Sequence, residues 1–246
     1  MLGCAKRLLR PRCTSEPCRP AAPRRPKSTD RQGAHGAYCS ELVRRHDHEN
    51  FLSSLLLPAD GRRAALAVRA FNVELAQIQD VVSRPEIGLM RLQFWTDTVE
   101  QIYEGSAPEQ PIAQELAAVV HSQRLSKHWF TRLVESRRPS AQAHGSLEEA
   151  EEYAERSVSP VFYLILQAMG VQDLGCDHVA SHVGKLQGLT NLIRGVPANA
   201  SRGRVYLPLQ LLAKHKVSQE SLARGKADAR EVVYELARAA HQHLEK

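Results

Sequence analysis

Cysteine is scarce in this chain and badly placed for any framework. Four of the five, Cys4, Cys13, Cys18 and Cys39, fall in or beside the N-terminal segment, which leaves Cys176 alone in the rest. No disulfide scaffold and no cysteine-built zinc set can be assembled from that. Long hydrophobic runs are missing too. The most apolar stretch, VFYLIL at 161–166, is far short of the roughly 18 residues that span a bilayer, so any membrane contact is expected to be peripheral. Alternating β-branched runs and hairpin dipeptides are almost absent, which argues against sheet. There is no Gly-rich phosphate loop at a strand-helix junction, and no serine in a triad-like context.

Charge is lopsided. The formal net charge is +6, yet up to Arg31 there are nine Lys/Arg against Glu16 and Asp30, and beyond it 24 bases face 25 acids. The basicity therefore belongs to the N-terminal segment, and the body offers no basic face for nucleic acid. That segment, MLGCAKRLLRPRCTSEPCRPAAPRRPKSTDRQ, is Arg-rich, acid-poor and broken by proline. Residues 1–35 read as a mitochondrial transit peptide, with a disordered basic tail as the alternative.

From Tyr38 onward the apolar residues keep helical time. Val68, Phe71, Leu75, Ile78 and Val82 recur at steps of three and four, one face of a helix. Pro85 separates it from the next, where Met90, Phe94, Thr98 and Ile102 form the expected stripe, with Ile87 and Trp95 beside it and Gly105 as the stop. Ile112, Leu116 and Val120 mark another helix, followed by a short one around Trp129 and Leu133. Ser146 with Glu149 three residues on forms a capping box. PVFYLILQAMG reads as a buried helix with Pro160 in its first turn. DHVASHVGKLQGLTNLIRG is a further helix, and Val232, Leu236, Ala240 and Leu244 mark the C-terminal one. The pattern predicts one all-α domain over 36–246, without repeat or long linker. The aromatics Phe94, Trp95 and Tyr103 read as core.

Three segments carry a resemblance: AFNVELAQIQD at 70–80, GLMRLQFWTDTVEQIYEG, and QGLTNLIRGVPANASRGRVYLP at 187–208. Together they resemble the squalene/phytoene synthase family, which implies an isoprenoid synthase-type helical bundle around a central cavity. In that family's enzymes two aspartate pairs on facing helices hold magnesium ions against an isoprenoid diphosphate. Residues at i and i+4 share a helix face and can reach one ion, and magnesium wants hard, charged oxygen ligands. The resemblance places the first pair at Ala76 and Asp80 and the second at Gly195 and Asn199, with Ala198 between the latter two. Only Asp80 keeps a carboxylate. Glu74, six residues away, points to another side of the helix. The reading is therefore a non-enzyme, with no metal and no cofactor.

The basic and polar remainder, Asn191, Arg194, Arg202, Arg204 and Tyr206, matches the family pattern near the diphosphate end of the cavity. Either these side chains still bind an anionic, isoprenoid-tailed or lipid ligand, or they brace a loop against its neighbours. Asp80 likewise is either an ion-paired helix carboxylate or a lone metal ligand.

Within the family, FNVELAQIQDVVSRPEIGLMRLQFW is similar to a mitochondrial member. That similarity implies help in early assembly of respiratory complex I, with membrane-arm intermediates as partners and peripheral contact with the matrix side of the inner membrane. An isoprenoid- or phospholipid-binding module and a residual prenyltransferase are the alternatives. The family's fold continues past the second motif, so the resemblance also implies that C-terminal helices are lacking here. Burial of Val232, Leu236 and Leu244 is then in question, and an open, apolar-lined cavity would want a covering partner.

His178 and His182, four apart, have zinc-ligand spacing without an evident third ligand. The alternating His46-Asp47-His48 and His241-Gln242-His243 are expected to be exposed.

Overall fold

The structure is a computed structural model that describes residues 28–82, 84–138 and 144–246. Cys4, Cys13, Cys18 and most of the transit-peptide reading lie outside the described residues. Among them twelve α-helices form and no strand does. The helices are α1 (Ser28–His46), α2 (His48–Leu55), α3 (Ala59–Val81), α4 (Pro85–Tyr103), α5 (Pro111–Gln123) and α6 (Lys127–Ser136). They continue with α7 (Leu147–Ser157), α8 (Ser159–Ala168), α9 (Leu174–Ser201), α10 (Leu209–Lys214), α11 (Gln219–Ala223) and α12 (Arg230–Leu244). The boundary drawn at 35/36 falls inside α1.

Two apolar clusters hold these helices together. The first gathers α1, α3, α4, α5, α6 and α8 around Phe71, whose ring meets Trp95 at 5.2 Å and Phe130 at 5.7 Å, both edge-on. Edge-to-face pairs of this kind add about 0.5–1.5 kcal/mol beyond their area burial. Cys39 belongs to this cluster. It is fully buried, and burial, with Glu115 nearby, raises its thiol to about 12. The second cluster joins α7, α9, α10, α11 and α12 through Leu189, Leu211, Val232 and Leu236. Val232 and Leu236 are fully buried in it, whereas Leu244 is exposed.

Small residues set the spacing between the two halves. A Cβ on Gly188 would lie 2.3 Å from Ala154 Cβ on α7, and one on Gly184 would lie 2.7 Å from Ser159 Cα on α8. These glycines let α9 pack backbone to backbone. Glu155 then ties the three helices: Tyr163 Oη donates to Oε1 at 2.8 Å, and Ser159 and Ser181 hydroxyls donate to Oε2 at 2.9 and 2.6 Å.

The capping box forms with one change. Ser146 Oγ accepts from Glu149 N–H at 3.3 Å, while the Glu149 carboxylate accepts from Gly145 N–H, not from that of Ser146. Two expectations fail. On α4 the buried face is Gly88, Leu92, Trp95, Thr98, Val99 and Ile102, and Met90 is 71% exposed, with Ile87 and Phe94 also outside. Trp95 and Leu92 pull the apolar face round, because Phe71 supplies an aromatic partner on that side only. The helix expected to end by Gly195 runs on through Pro197 to Ser201. A proline forfeits one helical hydrogen bond, and Ile193 and Val196 compensate by packing on the second cluster.

Candidate functional site

The two motif helices face one cavity. Along α3, residues 69, 72, 73, 76 and 80 share a face by helical spacing; along α9, residues 187, 188, 191, 194, 195 and 199 do so. Both stripes line a cavity of about 520 Å³, to which α2, α7 and α8 also contribute. It lies at the seam between the two apolar clusters. Because α9 continues through Pro197, Gly195 and Asn199 keep their i, i+4 relation, and a Cβ on Gly195 would stand 2.9 Å from Asn199 Nδ2. Ala76, Asp80, Asn191, Arg194, Gly195, Asn199, Arg204 and Tyr206 all line this cavity. Arg202 does not, but it reaches the rim from the turn after α9.

At the rim the arginines are engaged. Arg202 Nη1 donates to Asp80 Oδ1 at 2.5 Å, and Arg204 Nη1 lies 3.6 Å from the same oxygen. Arg204 Nη2 donates to the Gln79 carbonyl at 3.2 Å, and Tyr206 Oη to Gln79 Oε1 at 3.1 Å. The loop is thereby tied to the C-terminal turn of α3. Across the opening Arg194 Nη2 donates to Glu49 Oε1 at 3.0 Å. Asp80 and Glu49, the rim carboxylates, thus each face a guanidinium.

The magnesium that the resemblance implies does not fit this arrangement. Ala76 and Gly195 carry no ligand atom, Asn199 is neutral, and Asp80 Oδ1 is shared by two cations. No group of three or more His, Cys, Asp or Glu capable of holding a metal ion occurs among the described residues. His178 is exposed, and His182 turns instead to His243, Nδ1 to Nδ1 at 3.0 Å. His243, expected outside, is buried, with Glu151 Oε1 3.4 Å from its Nε2.

Sequence reasoning missed the buried end of the cavity. Arg69 is 7% exposed, with Asp47 Oδ2 3.9 Å away and the Phe162 ring 5.6 Å from its guanidinium carbon. Burial lowers its pKa, with Asp47 opposing. Arg137 donates to Asn72 Oδ1 at 2.8 Å and to Tyr153 Oη at 3.1 Å, and the His144 ring lies 4.9 Å from that of Tyr153. Burial likewise lowers His144. Among the described residues the hydrocarbon side chains on the wall are Val73, Ala76, Val158, Val161 and Leu192, and polar and charged side chains outnumber them. One signal was available: Arg69 interrupts the apolar run AVRAF on the same stripe as Asp80. Arg137 and His144 flank 139–143, where no periodicity points to them.

Comparison with known proteins first defines the fold. The squalene synthase HpnC from Alicyclobacillus acidocaldarius is 20% identical, with a TM-score of 0.72 over 86% of this chain and 82% of that one. The protein thus has the isoprenoid synthase-type helical fold. A profile of the squalene/phytoene synthase family matches residues 43–246, and the chain belongs to that family. Among relatives, NADH dehydrogenase (ubiquinone) complex I, assembly factor 6, of Bos taurus is 47% identical over 218 residues, 86% of this chain and 66% of that protein. The assembly factor 6 homolog of Drosophila melanogaster is 40% identical over 236 residues, 91% of this chain and 71% of that protein. The chain thus spans just under two thirds of the bovine relative. No helix among the described residues is long and apolar enough to cross a membrane.

Proposed function

We propose that this protein is a non-catalytic member of the squalene/phytoene synthase family that assists early assembly of mitochondrial respiratory complex I. It works at the matrix face of the inner membrane, in peripheral contact with it, on membrane-arm intermediates. The relatives named as complex I assembly factors support the assembly role. The observation that carries the non-catalytic part is the clamp on Asp80: the carboxylate left in the first motif is held by Arg202 and Arg204. A diphosphate leaving group needs cationic clamps free to take up its charge, and here those guanidiniums already have a partner.

Purified protein incubated with farnesyl or geranylgeranyl diphosphate and magnesium is expected to release no diphosphate above background. Magnesium-dependent release abolished by Asp80→Asn would overturn the non-catalytic reading and restore a prenyltransferase.

A further inference from the structure

Arg69 is a buried cation poorly provided for by the protein. Its Nε has no hydrogen-bond partner among the described residues, and Asp47 Oδ2, 3.9 Å from Nη1, is close enough for an ion pair but beyond hydrogen-bonding distance, while Asn50 donates to the other Asp47 oxygen at 2.7 Å. Burying a guanidinium without hydrogen bonds is costly. His144, 4% exposed, lines the same cavity and also has an unpartnered Nε2. The two are joined through the wall: Asn72, one turn from Arg69, accepts from Arg137, which donates to Tyr153, whose ring meets that of His144 at 4.9 Å, tilted by 48°. Arg69 lies eleven residues before Asp80 on α3, about 16 Å along the axis. Arg69 therefore stands well away from the Asp80–Arg202 pair, although both belong to one cavity.

We propose that the buried end of the cavity binds a small water-soluble oxyanion, a carboxylate or phosphate ester, with Arg69 as its counter-charge and His144 Nε2 as a further hydrogen-bonding group. A guanidinium in a half-closed polar pocket suits planar, forked recognition of an oxyanion. A hydrocarbon tail does not suit it, since it would leave Arg69 charged against apolar atoms. Arg69 then has a cost in the free protein that the ligand offsets. This inference does not rest on the assembly role.

The test uses the full chain, titrated calorimetrically and melted with inorganic phosphate, succinate, pyrophosphate, farnesyl diphosphate and phosphatidylglycerol vesicles. Phosphate or succinate is expected to bind and raise the melting temperature. Arg69→Met should weaken that binding about tenfold or more, yet melt above wild type when no anion is present, because an under-bonded buried charge has gone. His144→Phe, which keeps the ring packing, should also weaken binding, and Arg224→Met, at an exposed arginine that does not line the cavity, should not. The proposal is overturned if neither small anion binds, or if Arg69→Met binds them as wild type does. It is equally overturned if Arg69→Met melts lower or fails to fold, since Arg69 would then be a structural residue. Farnesyl diphosphate binding far more tightly than pyrophosphate, or vesicles binding through Arg69, would show that a tail or membrane lipid is recognised instead.

Discussion

Two glycines on α9 show how differently the same residue can be used. At Gly188 an added methyl would meet Ala154 Cα at 2.8 Å, a backbone atom that cannot swing away; at Gly195 it would meet only the amide end of Asn199 at 2.9 Å. Gly188→Ala should therefore destabilise by about 1–3 kcal/mol through overpacking. Gly195→Ala should be neutral or stabilising by up to about 1 kcal/mol, since a helical glycine is replaced by a better helix former. Urea unfolding of the two variants checks both signs. Gly195 thus meets no packing demand of the kind that fixes Gly188, and a side chain there needs only the flexible amide of Asn199 to swing aside. Asp80 belongs to the same scale. Its pair with Arg202 is half-exposed, and Asp80→Asn is expected to cost no more than about 1 kcal/mol, which makes it a clean variant for functional work.

Between elements, polar contacts add to the apolar packing that holds α12 and α7 to α9. The His182–His243 contact joins two ring nitrogens at 3.0 Å, so one must donate and the other accept. Burial first, then His243 and Lys185, with Lys246 and His178 behind them, hold His182 below its ordinary value of 6.5; Glu151 faces His243 from α7. A histidine depressed in the folded state is protonated more readily when unfolded. The stability it contributes is full above 6.5 and is lost as pH falls below that value toward the folded one. His144 acts with the same sign. The urea midpoint should accordingly fall between about pH 7.5 and 5.5, with a shallower fall in His182→Gln; an unchanged slope would remove this contact from the account. Glu155, which accepts three hydroxyl protons, carries more, and Glu155→Ala should lower stability by about 2–3 kcal/mol in the same assay. Some of this was legible in the sequence. Val68, Phe71, Leu75 and Ile78 mark the inner face of α3 by spacing alone, and Ser146 with Glu149 marks the start of α7. The α4 face was misread because Met90 and Phe94 fit the period as well as Leu92 and Trp95 do. Only the position of Phe71 decides between them.

On the scale of the whole molecule, two apolar clusters meet at a polar cavity, and nearly all the residues singled out from the two motifs converge on its rim. Spacing and family pattern sufficed for that, because positions 76 and 80 and positions 195 and 199 are fixed by helical geometry. The partners were not legible: Glu49 for Arg194, and Gln79 for Arg204 and Tyr206, lie more than a hundred residues away along the chain. The buried end stayed hidden for the same reason, since His144 and Arg137 reach it only through the tertiary fold. The proposed function makes the molecule a scaffold kept without its chemistry, serving assembly of a larger complex. The direct measurement is the level of assembled complex I in cells depleted of this protein and re-supplied with wild type or Asp80→Asn. The account predicts that depletion lowers complex I and that both forms restore it equally. Complex I unchanged by depletion, or restored by wild type alone, would contradict it.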